Sequence, residues 1–316
     1  MGGRSASTPS ARLRFGILGA ADIARKALIP AIAAAGNAEL VALASRERER
    51  GRSLFGGRVV GSYGELLEDP EVDAVYLPLP NNLHREWTLR ALAAGKHVLC
   101  EKPLALTAAE AEEMAAAAGS AGRLLMEGFM YRFHPRVRSA VGKLRRDPPT
   151  ELWASFGFPL DAPGNYRLDP ALGGGALLDV GCYTIDLARW ILGEPDWVEA
   201  IGRVAGVDMT VSMTLGYASG ARAHLFASFD TPEVQELHAG DVMLDKPFTA
   251  WRDPVDPYQV MVEEFSAAAL GGLPAPLSLE DSIANLRVVD AVRRSLDTGD
   301  RHHLTEAGEG RPPVTQ

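Results

Sequence analysis

The sequence predicts an α/β protein: an N-terminal doubly wound parallel sheet, then a C-terminal α+β domain with a large, mostly antiparallel open sheet. Three observations predict it. Six short apolar runs (13–19, 40–45, 58–60, 73–77, 97–100 and 123–126) alternate with helical stretches over the first 130 residues. That pattern buries parallel strands between layers of helices. The first run passes through a tight turn into an Ala-rich helix, the context that a dinucleotide-binding turn requires. Beyond residue 135 the alternation stops, and strands joined by short turns such as 218–221 take over, as suits antiparallel neighbours.

At 316 residues the chain exceeds one ordinary core, so two domains are expected. They are a dinucleotide-binding domain over 13–131 and a substrate-binding and oligomerisation domain over 132–316, after a disordered extension over 1–12. Hydrophobic residues make up 47% and charged residues 23%, as in soluble globular proteins. The net charge of -9 argues against a nucleic-acid surface, which needs a basic field. Only Cys100 and Cys182 are present. That excludes a disulfide framework and fits a reducing cytoplasm. No apolar stretch is long enough to span a membrane. The first residues lack the apolar segment and cleavage site of a signal peptide, and the end, 306–316, is expected to fray.

The first turn aligns with G-x-G-x-x-G/A at Gly19, Ala21 and Ala24. Ala21 carries a methyl where backbone should approach a pyrophosphate, so on its own a plain βα turn competes with the dinucleotide reading. After the second strand a cofactor without a 2′-phosphate would want an acid. Glu39 stands at the wrong end, and the correct end carries Ser45 and Arg46, with Arg48 and Arg50 following. Hydroxyl and guanidinium suit a dianionic phosphate, which favours NADP(H) and leaves NAD(H) possible. For Arg48 and Arg50 a solvated helix start with alternating Glu fits better.

A helix over 63–68 follows the third strand. The fourth strand runs into Pro78-Leu79-Pro80-Asn81-Asn82-Leu83-His84. The prolines keep this loop extended, Asn82 can cap the helix that follows, and His84 reads as a cofactor contact rather than a catalyst. The fifth strand ends in Cys100-Glu101-Lys102-Pro103, at the sheet edge where ligands bind in open α/β sheets. An ammonium there can polarise a carbonyl and pass a proton, although most lysines are simply exposed. A capping box at 107–110 opens a helix to 119, and 127–134 crosses into the second domain.

In the second half, a helix over 135–146 and a strand over 151–158 precede a long loop, 159–172, carrying Asn165-Tyr166-Arg167. Gly173-Gly174-Gly175 allow close backbone approach before a helix over 176–192. Asp179 and Tyr183 are four residues apart and share one helical face. A carboxylate and a phenol projecting together suit a substrate site. The competing reading is an acid favoured by the helix dipole beside a core ring. Strands over 197–204, 209–217 and 222–229, short strands between 234 and 245, and helices over 257–270 and 279–297 complete the chain.

Taken together and in this order, the turn at 16–24, Pro80-Asn81-Asn82-Leu83-His84, Glu101-Lys102-Pro103 and the Gly-rich Asp179-x-Gly181-x-Tyr183 motif resemble the Gfo/Idh/MocA oxidoreductase family over about 13–300. The turn Ala21-Asp22-Ile23-Ala24 and the run Met126-Glu127-Gly128-Phe129-Met130-Tyr131-Arg132 look most like the branch holding glucose–fructose oxidoreductase, D-xylose dehydrogenase and dihydrodiol dehydrogenase, and the turn also resembles the keto-sugar reductases of deoxysugar pathways. The resemblance implies a Rossmann domain and specific roles. Gly19, Ala20, Ala21, Asp22 and Ile23 would form the dinucleotide turn, and Ser45 and Arg46 the 2′-phosphate grip. Leu77, Pro78, Leu79, Asn82 and His84 would line the ribose and nicotinamide. Glu101 and Lys102 would be the active-site pair, ahead of a bond to Pro103 that is often cis.

On the substrate side the resemblance implies Asp179 as the carboxylate and Tyr183 as the proton donor, where many members have His. Arg167 would face cofactor or substrate, and Tyr131 and Tyr258 would contact substrate. The implied activity is an NADP(H)-dependent oxidoreductase acting on CH–OH groups of a sugar or polyol, without a metal, nucleic acid or membrane, as a homodimer or homotetramer. Alternatives are a reductase of nucleotide-linked keto-sugars or of dihydrodiols and dicarbonyls, and a non-catalytic NADP-binding regulator. A zinc deaminase reading fails, because His84-Arg85-Glu86 is not followed by Pro-Cys-x-x-Cys. One departure is that 229–256 is short for the family, which puts the edge of the second sheet and any oligomer on its open face in doubt.

Overall fold

The computed structural model describes residues 11–249 and 252–304; the expected frayed tail and all but two residues of the expected extension lie outside them. The chain begins with β1 (Leu13–Leu18), a π-helical turn (Ala24–Leu28), α1 (Ile29–Ala34), β2 (Ala38–Ala44), α2 (Arg48–Leu54), β3 (Arg58–Val60) and α3 (Tyr63–Leu67). It continues through β4 (Ala74–Leu77), α4 (His84–Ala93), β5 (His97–Cys100), α5 (Ala108–Ala121) and β6 (Leu125–Glu127). The six strands pair in parallel in the order β3-β2-β1-β4-β5-β6. Their direction of growth reverses between β1 and β4, and the crevice at such a switch point is where doubly wound sheets bind ligands. Phe15, Ile17, Val75, Leu77, Val98 and Leu99 are fully buried, as expected for strands covered on both faces.

Local chemistry explains the boundaries. Thr107 Oγ1 accepts from the Glu110 amide at 3.3 Å, and Gly122, at φ +60°, ends α5, two residues beyond the sequence expectation. At the start of β4, Arg14 clamps Asp73 with two bonds of 2.7 and 2.8 Å. Two expectations change. Glu39 lies inside β2, though still near its N-terminal end. Asn82 does not cap α4: a 3-10 turn, Asn81–Leu83, leads into the helix, and no side chain among the described residues caps it.

The second stretch holds α6 (Pro135–Arg146), β7 (Glu151–Gly157), a second π-helical turn (Leu177–Gly181), α7 (Cys182–Leu192), β8 (Trp197–Ala205), β9 (Val207–Gly216), β10 (Arg222–Ser228), β11 (Val234–Ala239) and β12 (Val242–Asp245). Then come α8 (Pro257–Gly271), α9 (Leu279–Thr298) and β13 (His302–His303). The seven strands run β12-β11-β7-β10-β9-β8-β13. All neighbours are antiparallel except β7 and β10. Leu152, Ala154, Val198, Val211, Met213, Ala223 and Leu225 are buried. α7 packs against β7 and β10, and Ser295 of α9 accepts from the Ala200 amide at 2.9 Å. The short 229–256 region still supplies two strands. β13, two histidines without an apolar run, had no sequence signal.

The chain divides into two compact units. The first takes residues up to Arg138 together with Thr249–Ile283, the second Ser139–Phe248 together with residues from Ala284 on. The sequence reading put everything after 132 in the second domain, whereas α8 packs on the first unit. Its buried residues Tyr258, Met261, Val262, Phe265 and Ala268 follow helical spacing. Phe265 meets Phe15 of β1 at 6.0 Å, and the Glu263 carbonyl accepts from Asn37 at 2.9 Å. Chain order hides this return, because an amphipathic stripe does not say which core it joins.

Candidate active site

On the first unit, the predicted dinucleotide residues gather at the carboxyl ends of β1, β2 and β4. Gly19 has φ +108°, a conformation that glycine adopts without strain. A Cβ there would also press on Leu79 at 2.9 Å and approach the Tyr63 hydroxyl. Ala20, Ala21, Asp22 and Ile23 follow at least partly exposed, the last three leading into the π-helical turn. Arg50 Nε donates to the Ala20 carbonyl at 3.0 Å, so Arg50 braces this turn rather than standing free in solvent. Arg48 lies 4.0 Å from Glu65. Arg46 is exposed, close enough for its charge to act on the Tyr63 phenol. Ser45 is buried, and its hydroxyl donates to the Glu47 carbonyl at 2.8 Å.

Leu77, Pro78 and Leu79 are buried. Asn82 Oδ1 is buried and has no hydrogen-bond partner among the described residues. A buried acceptor left so is costly, and an added hydroxyl donor would satisfy it. Together with the Gly19 turn, this makes the residues fit a bound dinucleotide. His84, expected at the cofactor, is fully buried. Its ring spans the Leu79 carbonyl (2.9 Å) and the Pro103 carbonyl (2.8 Å). Burial pushes its pKa down, and a neutral imidazole has one N–H to give the two carbonyls. His84 therefore straps the loop after β4 to the loop after β5.

That second loop carries Glu101 and Lys102, and the Lys102–Pro103 bond is cis. Lys102 is partly exposed, whereas Glu101 is buried. Tyr76 donates to Glu101 Oε1 at 2.6 Å, and the Lys102 amide donates to Oε2 at 3.3 Å. Glu127 accepts from the Leu104 amide at 2.8 Å. Tyr258 is buried with its phenol within reach of the Glu101 charge, and burial and that charge push its pKa well up. Tyr131 is also buried, edge-on to Phe129. The sequence reading missed Tyr76. The signal was a Tyr inside a wholly buried run, whose hydroxyl must find a partner.

On the second unit, the helix start gathers Arg167, Asp179 and Tyr183. Arg167 Nε donates to Asp179 Oδ2 at 2.7 Å, and its guanidinium lies over the Tyr166 ring at 4.6 Å. Burial lowers the Arg167 pKa, and the Asp179 carboxylate, with Tyr166, the Asp179 hydrogen bond and lastly Tyr183, outweighs it, so the group is held protonated. The Tyr183 ring packs beside the stacked pair Phe156 and Phe248, whose centroids lie 5.1 Å apart and 5.4 and 5.5 Å from its own. The glycines before the helix are filled from inside the fold. A Cβ on Gly174 would strike the Arg167 carbonyl, and one on Gly175 the Asp208 carboxylate.

Among the described residues no group of three or more His, Cys, Asp or Glu could hold a metal, and no helix is long and apolar enough to cross a membrane. Cys100 and Cys182 are buried thiols that are not joined in a disulfide.

Comparison with known proteins matches residues 13–129 to an oxidoreductase family with an NAD-binding Rossmann fold and residues 136–240 to the GFO/IDH/MocA C-terminal domain. The chain is 38% identical to a D-xylose 1-dehydrogenase (NADP(+)) of Haloferax volcanii, over 91% of this chain and 98% of that protein. It is 35% identical to a dTDP-3,4-didehydro-2,6-dideoxy-alpha-D-glucose 3-reductase of Actinomadura kijaniata, over 89% and 95%. Among solved structures, a 3-ketoreductase from Actinomadura kijaniata in complex with NADP and TDP-benzene has a TM-score of 0.79 at 34% identity, covering 90% of this chain and 98% of that one. An aldose-aldose oxidoreductase from Caulobacter crescentus complexed with glycerol has a TM-score of 0.81 at 29% identity, covering 92% and 99%.

Proposed function

Because the chain belongs to the Gfo/Idh/MocA family of oxidoreductases, we propose that it transfers a hydride between NADP(H) and a carbonyl or hydroxyl carbon of a sugar or polyol, with Lys102 and Tyr183 handling the proton. The observation that carries this reading is the Arg167–Asp179 pair beside Tyr183. When bound, NADPH would supply the hydride. The Gly19 turn, Arg46 and Asn82 would hold it.

In the reducing direction the Tyr183 hydroxyl gives its proton to the carbonyl oxygen as the carbon accepts the hydride, so the C=O becomes CH–OH and Tyr183 is left as a phenolate. A free phenol ionises only near pH 10, and neighbouring cations favour the phenolate. Arg167, held in place by Asp179, supplies one such cation. The role given to the Lys102 ammonium is to polarise the substrate oxygen. Water then returns the proton to Tyr183. Oxidation runs the same steps backwards. A carboxylate, a guanidinium and a phenol suit a polyhydroxylated substrate, since such sites reject analogues lacking a hydroxyl partner.

We place a second copy of the chain against the open face of the second sheet. Registered pairing puts Met243, His238, Trp153, His224 and Thr214 in one row across that face, beside a row holding Ser155, Phe226, Ser212 and Ile201. Trp153, Ile201 and Met243 stand exposed on these rows at 49, 76 and 74%, and a second copy on this face would cover them.

The test of the activity is NADPH oxidation against a panel of aldoses, keto-sugars and dicarbonyls, repeated with NADH. Turnover of a sugar carbonyl with NADPH is expected. Tight NADPH binding without turnover of any carbonyl would overturn the reading.

A further inference from the structure

We propose that Asp208 is the positioning residue for the turn that carries Asp179 and Tyr183, which rests on the reading of Tyr183 as the proton carrier. The register of the second sheet aims its side chain. Arg203 of β8 faces Thr210 of β9, but the next residue, Val204, faces Asp208. Met209 is therefore an extra residue, a bulge, and bulges re-aim neighbouring side chains. Asp208 Oδ2 accepts from the Leu177 amide at 2.5 Å, at the first residue of the π-helical turn Leu177–Gly181. An amide there has no partner within its own helix, and a carboxylate at a helix start also meets the favourable end of the dipole.

The glycine run completes the fit. Gly175 has φ +118°, and the space beside its Cα is occupied by the Asp208 carboxylate. Gly175 is thus the residue that lets Asp208 reach Leu177. Burial raises the Asp208 pKa, while the Leu177 amide and the Arg293 guanidinium oppose that rise. Asp179 lies two residues beyond Leu177, and its amide donates back to the Gly175 carbonyl at 3.1 Å. A shift at Gly175–Leu177 therefore moves Asp179, its partner Arg167 and the start of α7 with Tyr183. Misplacement of a reacting group by about 1 Å costs on the order of 10²-fold in rate.

The test compares Asp208→Ala, Asp208→Asn and Gly175→Ala with wild type. It measures kcat, KM for the carbonyl substrate, NADPH affinity and amide hydrogen exchange across residues 177–181. Asp208→Ala should cut kcat by at least about tenfold, speed exchange at 177–181 by about tenfold, and leave the NADPH dissociation constant within about twofold. Asp208→Asn, whose amide oxygen can still accept from Leu177, should recover most of the kcat. Gly175→Ala should reproduce the Asp208→Ala phenotype and add little to it in the double variant. Unchanged exchange at 177–181, or a kcat within about twofold of wild type, would overturn the proposal. Tyr183→Phe assayed alongside separates the two readings: normal turnover there sinks the role of Tyr183, whereas the exchange result speaks for Asp208 alone.

Discussion

Tyr76 shows how single residues set this chemistry. Its hydroxyl is the donor to Glu101 Oε1, deep under the Lys102 loop. Tyr76→Phe keeps the ring and removes the donor. It should destabilise the protein by about 1–3 kcal/mol, the usual loss for a bond to a buried charged group, read by urea unfolding, and lower kcat with NADPH affinity little changed. Unaltered stability would mean that Glu101 is satisfied without Tyr76. Arg46 makes the opposite kind of prediction. It is exposed and outside any ion pair among the described residues, so Arg46→Ala should leave folding intact and weaken NADPH by about 10–100-fold through a lost charge-assisted bond, with NADH nearly unaffected. Fluorescence titration with both cofactors checks this, and equal losses would contradict the phosphate role. These residues differ in legibility. Arg46 stands at a strand end, where sequence position is informative. Tyr76, Arg50 and Asp208 act through partners 25, 30 and 31 residues away, and no local pattern announces them.

At the scale of elements, β1 and β4 are locked at their start by Arg14 and Asp73. The Arg14 guanidinium and amide hold the Asp73 carboxyl below the usual carboxylate range, against the opposing effect of burial. The Asp73 pKa is therefore lower in the folded than in the unfolded chain. The stabilisation is present above about pH 4, the unfolded value, and is lost as pH falls through the folded value. Asp73→Asn should cost about 0.5–1 kcal/mol at neutral pH, since the pair is partly exposed, and should flatten the acid limb of a plot of stability against pH. A variant as acid-sensitive as wild type would contradict it. The elements themselves were largely legible, because alternation, capping residues and glycines are local signals: α6 begins and ends where the sequence places it, and β3 does as well. The two π-helical turns, Ala24–Leu28 and Leu177–Gly181, were not. They have the composition of ordinary helix and differ only in how the backbone bonds. The strap formed by His84 was hidden for a similar reason, since its two carbonyl partners are main-chain atoms.

For the molecule as a whole, the sequence separated a parallel from an antiparallel half but misplaced α8, whose apolar stripe suits either core. The open face of the second sheet carries the association proposed above. Ile201→Asp should reduce the sedimenting mass to that of a single chain while leaving NADPH affinity within about twofold, and an unchanged mass would move the interface elsewhere. The central claim is that Lys102 and Tyr183 act on one substrate carbonyl. The measurement that tests it most directly is single-turnover NADPH oxidation by Lys102→Met and Tyr183→Phe, with cofactor binding titrated on the same samples. Each variant should bind NADPH normally and lose about 10²–10⁴-fold in rate, the usual range for a proton-transfer group. A rate near wild type in either variant with NADPH fully bound would contradict the account.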